Sequence, residues 1–309
     1  MAQMKAVNEV RKDVMGRRVV VTAVRKDRPH DDKAPVRVEK SGDASKCFFC
    51  PGNEHLTPPE IDRVESAPGK WEVRCFANKF PAFNPESRKA FGRHEVIVET
   101  PEHRKSLSEL PVENIRDYLL MVKKRMLDAQ KEPKLAYTLA FKNEGRAGGA
   151  SLEHTHTQIV SMDFVPDYIK KMQKKAARFA RMEKQNQKAV FFENSHFFAF
   201  CPKASRFHFE AWIAPKFPVA SLVEIDGERL LSLASALKSV LGAIDAANGF
   251  PPYNVIYQSA PRGVAVFPFH VEIMPRLSTW AGFELGSEVV MLSEAPESSA
   301  DVLRKTLNK

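Results

Sequence analysis

The densest concentration of reactive side chains in the chain is the run Glu153-His154-Thr155-His156-Thr157-Gln158. Residues two apart in a β-strand project to one face, so a strand here would present His154, His156 and Gln158 together. Two imidazoles and an amide in that arrangement fit two kinds of chemistry. They can bind a metal, for which histidine is the commonest ligand, or one imidazole can attack as a nucleophile while its neighbours assist. Imidazole, with a reference pKa of ~6.5, is neutral near pH 7 and so available for attack.

A second group is Cys47-Phe48-Phe49-Cys50. Its CxxC spacing is that of a zinc knuckle, and thiolate is a soft ligand that suits zinc. A closed tetrahedral site needs two further ligands. His55, His94, His103 and His154 are all candidates, and spacing does not choose among them. A redox pair is the alternative, but a thioredoxin-like pair precedes a helix, whereas Pro51 and Gly52 indicate a turn here. Two simply buried cysteines are a third reading.

The elements that must position these residues follow from the hydrophobic pattern. Candidate strands are Val19–Val24, Trp71–Phe76, His94–Thr100, Lys134–Asn143 and the histidine run itself. Leu107–Gln130 carries helical spacing, with Pro111 near its start and an end expected before Pro133. The strongly basic stretch Asp167–Lys188 reads as one helix, most simply with a solvated charged face.

The order of elements repeats. RHEVIVETPEHRKSLSEL from Arg93 resembles HFEAWIAPKFPVASLVEI from His208, and YTLAFKNEG from Tyr137 resembles YNVIYQSAP from Tyr253. EHTHTQIVSM aligns with PFHVEIMPRL, pairing His154 with His270, His156 with Glu272 and Gln158 with Met274 at an offset of about 115 residues. The pattern predicts an α+β fold of two tandem units, antiparallel strands with a crossing helix in each. The boundaries expected are 1–165 for a first, catalytic unit and 166–309 for a second, degenerate one.

Composition bounds the function. The 309 residues are 43% hydrophobic and 28% charged, as in a soluble globular protein. No apolar run long enough to span a bilayer is evident by eye, and the polar start MAQMKAVNEVRKD does not read as a secretory signal. Membrane association is not expected, and a cytoplasmic location is. A net charge of +9 favours phosphate-bearing partners. A zinc-stapled nucleic-acid-binding protein is one reading of that charge, but the basic stretch lacks the interleaved aromatics that stack bases, so nucleic acid is not the expected partner.

CFFCPGNE, ANKFPAF, VIVETPEH, the FKNEG run and HTHTQ occur in the order seen in galactose-1-phosphate uridylyltransferases, of the histidine-triad superfamily. The chain resembles that family over nearly its whole length. PPYNVIYQSAP, HVEIMPRLSTWAGFELGSE and HTHTQ itself look more like the ADP-glucose phosphorylase branch. The resemblance implies two histidine-triad-like units, and zinc held by Cys47, Cys50, His103 and His154. It implies His156 as nucleophile, with Gln158 and Ser151 on the phosphoryl oxygens. It places Asn143 and Ser151 around the α-phosphate, Asn78 on the nucleotide, and Arg25 and Arg28 near the phosphates.

The implied reaction moves a nucleoside monophosphate, UMP by the family's default, between a nucleotide sugar and a hexose 1-phosphate through a covalent nucleotidyl-histidine. The alternative is an ADP-glucose phosphorylase using the same histidine and inorganic phosphate. A homodimer is implied too, with Phe283–Glu288 reaching the neighbouring subunit's site. The chain departs from the family pattern in lacking the proline and glycine of the usual HPHGQ. Around His270 and Glu272 no full second metal-ligand set is evident.

Overall fold

The computed structural model describes residues 8–22, 43–103, 105–182 and 186–308. Its core is a ten-stranded sheet assembled from two runs of five strands. The first run is β3 (Glu60–Ala67), β4 (Lys70–Ala77), β5 (Gly92–Val98), helix α1 (Val112–Gln130), β6 (Tyr137–Glu144) and β7 (His156–Met162). After α2 (Asp167–Lys174) and α3 (Ala176–Phe179) comes the second run. This is β8 (Val190–Glu193), β9 (Phe197–Phe200), β10 (Ala211–Pro215), helix α4 (Gly227–Asn248), β11 (Tyr253–Gln258) and β12 (His270–Pro275).

The strand order is β3-β4-β5-β7-β6-β11-β12-β10-β9-β8. It repeats one pattern from each edge inward, so that β6 and β11 meet as an antiparallel pair at the centre. The mixed α+β class and the antiparallel pairing are those expected from the sequence. A separate three-stranded sheet joins β1 (Glu9–Lys12), β2 (Arg18–Val21) and β13 (Val290–Leu292). It is flanked in sequence by α5 (Gly282–Ser287) and α6 (Pro296–Leu307).

Strand alternation divides the sheet into two chemically distinct faces. Ile97, Ala140, Ile159, Ile213, Val255 and Ile273 turn to the helices, where Tyr118, Leu119 and Val122 of α1 and Leu233, Leu237 and Leu241 of α4 complete one core. On the opposite face Val160, Met162, Phe200 and Trp212 pack under Ile169 and Met172 of α2 and Phe179 of α3. His156 and Gln158 share parity with Val160 and so lie on this second face.

Three expectations need correction. β7 begins at His156, so His154 lies just ahead of the strand rather than in it. The basic stretch Asp167–Lys188 is not one helix. It breaks between α2 and α3 at Lys175, whose Nζ donates to the Met15 carbonyl at 2.8 Å. Finally, α4 is long and apolar enough by length and composition to cross a membrane, with a mean hydropathy of 1.5. Its apolar face is instead core, because Leu233, Ala234, Ala236, Leu237, Val240 and Leu241 are all fully buried.

Candidate active site

The two cysteines and two of the four candidate histidines converge. Cys50 Sγ lies 3.3 Å from His103 Nδ1 and 3.5 Å from His154 Nδ1, and Cys47 Sγ lies 3.6 Å from His154 Nδ1. All four ligand atoms fall within 4.8 Å of one another. Tetrahedral zinc with ordinary Zn–S and Zn–N bonds would place sulfur and nitrogen about 3.6 Å apart, so the donor set fits a single ion. His154 Nε2 is 2.8 Å from the Thr100 carbonyl. Nε2 therefore carries the proton and Nδ1 faces the sulfurs, the outer-shell arrangement usual for a ligating histidine. Burial, reinforced by Cys47 beside it, pushes the Cys50 thiol up to about 12. A cation at the centre would reverse that shift, because a coordinating thiol is deprotonated. His55 and His94 are not part of the cluster.

Two residues beyond His154, His156 opens β7 and is nearly buried. Its Nδ1 is 2.8 Å from the His154 carbonyl. That carbonyl accepts from Nδ1–H, which leaves the lone pair on Nε2. Phe49, inside the CxxC turn, meets the ring edge-on with centroids 5.3 Å apart. The Cys/His cluster and His156 are thus tied together through one aromatic and one dipeptide. Burial and then the charge of Lys142 hold the His156 imidazole below its usual pKa, with its carbonyl hydrogen bond acting the other way.

The strand carrying His156 is pinned from behind. Lys142 on β6 is fully buried, and its Nζ lies 3.0 Å from Glu99 Oε2, 3.0 Å from Glu144 Oε2 and 2.6 Å from Thr155 Oγ1. Glu99 also accepts from the Thr155 and Thr157 hydroxyls, each at 2.6 Å. A buried charge group satisfied this completely fixes geometry, since removing the lysine leaves buried carboxylates short of their countercharge.

The remaining expected residues are dispersed around this centre. Gln158 follows on β7, and its Oε1 is 2.8 Å from His94 Nε2. Asn143 lies on β6, with its Oδ1 accepting from Asn254 Nδ2 at 2.8 Å across the central seam. Asn254 also donates to the Gly148 carbonyl at 2.6 Å, tying down the glycine-rich β6–β7 loop. Glycine is needed at position 148 because a Cβ there would stand 2.8 Å from the Tyr253 carbonyl oxygen. Ser151 is exposed in the same loop. The Asn78 Oδ1 accepts from Phe80 N–H at 2.8 Å, and its Nδ2 sits 3.2 Å from His94 Nε2. Arg25 and Arg28 lie outside the described residues. Asn78, Phe83, Arg93 and His94 line a cavity of about 320 Å³, and His94 is the one of these that also contacts Gln158.

Sequence reasoning missed two features. His94 stood only as a metal-ligand candidate, whereas it contacts Gln158. The signal available was parity, since His94 and Gln158 sit on strands that both bear residues of this face. The second feature is the repeat register. His270 opens β12 as His156 opens β7, and its Nδ1 is 2.7 Å from the carbonyl of Pro268, two residues back. His156 therefore corresponds to His270, Gln158 to Glu272 and His154 to Pro268, a shift of two from the sequence alignment. Strand alternation hides such a slip, because a shift of two leaves every side chain on its own face.

The second half thus keeps a histidine, but seals it. His270 is fully buried under Trp212, with ring centroids 4.6 Å apart, and Phe179, at 5.4 Å. Its Nε2 is 3.3 Å from Glu272, which Arg206 clamps at 2.6 Å and Gln258 at 3.2 Å.

Comparison with known proteins shows the family and the fold. Residues 2–166 match the profile of the galactose-1-phosphate uridyl transferase N-terminal domain, and residues 92–309 match a domain of unknown function, DUF4921. An ADP-glucose phosphorylase of Arabidopsis thaliana is 31% identical over 96% of this chain and 92% of its own length. A galactose-1-phosphate uridylyltransferase of Thermotoga maritima is 29% identical over 89% of this chain and 92% of its own. The crystal structure of an Arabidopsis thaliana ADP-glucose phosphorylase with bound ADP-glucose superposes with a TM-score of 0.87 at 28% identity, covering 97% of this chain and 98% of that one. Fold, site and relatives define an enzyme of the nucleotidyl-transferring class. Within that class, the chain belongs to the galactose-1-phosphate uridylyltransferase family.

Proposed function

We propose that the protein transfers a nucleoside monophosphate from a nucleotide sugar to a phosphate-bearing acceptor through a covalent nucleotidyl-His156. The observation that carries this reading is the His156 Nδ1 contact with the His154 carbonyl at 2.8 Å. It presents Nε2 as an unprotonated nucleophile on a strand braced from behind by Lys142 and from the side by the Cys/His cluster. Nε2 attacks the α-phosphorus, and the bond from that phosphorus to the bridging oxygen breaks. Sugar 1-phosphate leaves with the electron pair. An acceptor phosphate oxygen then attacks the same phosphorus and expels His156 neutral. Gln158 and Ser151 donate to the phosphoryl oxygens, Asn143 orders the loop around the α-phosphate, and Asn78 contacts the nucleotide. Arg25 and Arg28 complete the phosphate charge compensation on the family resemblance. Cys47, Cys50, His103 and His154 hold Zn²⁺, which stiffens the turn and strand that carry His156.

Two donors suit this scheme. UDP-glucose with hexose 1-phosphate as acceptor is the family's default and matches the name of the Thermotoga relative. ADP-glucose with inorganic phosphate is the second reading. It is supported by the 31% identity to, and the 0.87 TM-score with, ADP-glucose phosphorylases. The exposure of Phe283 and Leu285 supports a homodimer in which α5 meets a second copy. We place the unit boundary at 165/166, just ahead of α2.

The test is intact mass after mixing the protein separately with UDP-glucose and ADP-glucose, under conditions that preserve phosphohistidine. A UMP-sized or AMP-sized gain that disappears in His156→Gly, with an unchanged far-UV spectrum, is expected. Normal adduct formation by His156→Gly would remove His156 from the role of nucleophile.

A further inference from the structure

We propose that His94 is the positioning residue that sets the orientation of the Gln158 amide, so that its N–H groups rather than its carbonyl meet the phosphoryl group. The inference rests on the reading of His156 as nucleophile and Gln158 as phosphoryl donor. β5 and β7 are antiparallel neighbours in which Val96 stands opposite Gln158 and His94 opposite Val160. His94 and Gln158 are therefore diagonal neighbours on the face that bears His156, within reach of long side chains.

The direction of the hydrogen bond is decided at the far side of the ring. The backbone N–H of Ala82 donates to His94 Nδ1 at 3.2 Å. A backbone N–H cannot rotate away from its partner, so Nδ1 must supply a lone pair. In a neutral imidazole the proton then sits on Nε2. Burial keeps the ring below its usual pKa, with the Gln158 contact opposing, so the neutral form is the relevant one. Nε2–H donates to Gln158 Oε1 at 2.8 Å. With its carbonyl end held, the Gln158 amide turns both N–H bonds away from His94.

Asn78 is oriented independently of that proton. Its Oδ1 is held by Phe80 N–H, which fixes the amide, and its Nδ2 lies 3.2 Å from the protonated Nε2. Two donors face each other there. The Asn78 hydrogens are thus left for an acceptor in the adjoining cavity, which Asn78 and His94 line. The His94 proton therefore orients the Gln158 amide toward the phosphoryl group, while the Phe80 N–H orients that of Asn78. Without that proton the Gln158 amide is free to invert. An inverted amide presents a carbonyl oxygen to a phosphate oxygen, exchanging an attraction for a repulsion.

The experiment compares single-turnover adduct formation, read by intact mass with UDP-glucose and ADP-glucose. The proteins are wild type, His94→Phe, His94→Gln, Gln158→Ala and the double variant His94→Phe/Gln158→Ala. Phenylalanine keeps the ring and removes the donor. Adduct formation should slow about 10- to 100-fold, less than the ~10²–10³ typical of losing one such donor outright, with the half-saturating sugar concentration little changed. His94→Gln, which carries an amide N–H near the Nε2 position, should recover most of that loss. In the Gln158→Ala background the His94→Phe change should add less than about threefold, because coupled residues are not additive. Long-range ¹⁵N–¹H spectra should show His94 as the Nε2–H tautomer.

A His94→Phe rate equal to wild type, the same penalty in the Gln158→Ala background, or an Nδ1–H tautomer would each overturn the positioning role while leaving His156 as nucleophile. No adduct in wild type with either nucleotide sugar would overturn the nucleophile reading and the His94 role together.

Discussion

Replacing Lys142 by methionine tests the brace behind His156 most directly. The Lys142 side chain is wholly buried and holds Glu99 and Glu144 at 3.0 Å each, the Thr155 hydroxyl at 2.6 Å and the His156 carbonyl at 3.4 Å. Methionine fills much the same volume with no charge. The loss is therefore electrostatic, leaving Glu99 as a buried carboxylate with only the hydroxyls of Thr155 and Thr157. Breaking one partner out of a buried ion pair typically costs ~3–5 kcal/mol. An unfolding entropy of ~2.1 cal/mol/K per residue gives roughly 0.65 kcal/mol/K for a chain of this size, so the melting temperature should fall by about 5–8 °C. Urea denaturation should show the same loss as a lower midpoint at unchanged slope. Adding Glu99→Gln to Lys142→Met should restore part of it, because the stranded charge is then gone. A melting temperature within about 1 °C of wild type, or a double variant no better than the single one, would show that this cluster does not hold the strand as described.

Two further outcomes follow from the same geometry. With zinc in the Cys/His cluster, elemental analysis should find about one equivalent in wild type and none in Cys50→Ser, and a strong chelator should lower the wild-type melting temperature but leave that of Cys50→Ser unmoved; equal metal content in the two would exclude the Cys/His cluster as the site. Burial alone would raise the Glu272 pKa, but Arg206 and His270 hold it well below the ordinary carboxylate range. Its contribution is therefore present above the unfolded value of about 4.3 and is lost as pH falls below it. Arg206→Met should accordingly lower the urea midpoint at pH 7, and its deficit relative to wild type should shrink between pH 4 and pH 3; a constant deficit would show that the buried pair does not carry this pH dependence.

How much of this was legible beforehand depended on the range of the interaction. The CxxC spacing and the alternation His154, Thr155, His156 are local signals, and the structure brings those side chains together at one centre. Choosing His103 over His55 and His94 was beyond spacing, because it depends on where the turn after β5 ends relative to Cys50. The His94–Gln158 contact was invisible for the same reason, since it spans the register between two strands 64 residues apart. The sealed histidine at position 270 was read two residues out of register, because hydrophobic alternation is blind to even shifts. The apolar run in α4 was passed over because its small residues, Ala234, Ala236 and Ala243, mute the pattern that packing on α1 makes plain.

The seam between β6 and β11 bears on how the chain can be divided. Asn143 and Asn254 face each other across it, and each strand lends the other a full ladder from Tyr253 opposite Glu144 to Tyr257 opposite Ala140. A protease cut near residue 165 would break one covalent bond and leave that ladder intact. Two separately expressed halves, by contrast, would each carry a naked sheet margin of about five residues, the kind of edge that captures another strand. Mixed together, the halves have in each other the matching margin and should reassemble. Kept apart, each has only copies of itself to pair with, and the N-terminal half alone would close β6 on β6 or precipitate.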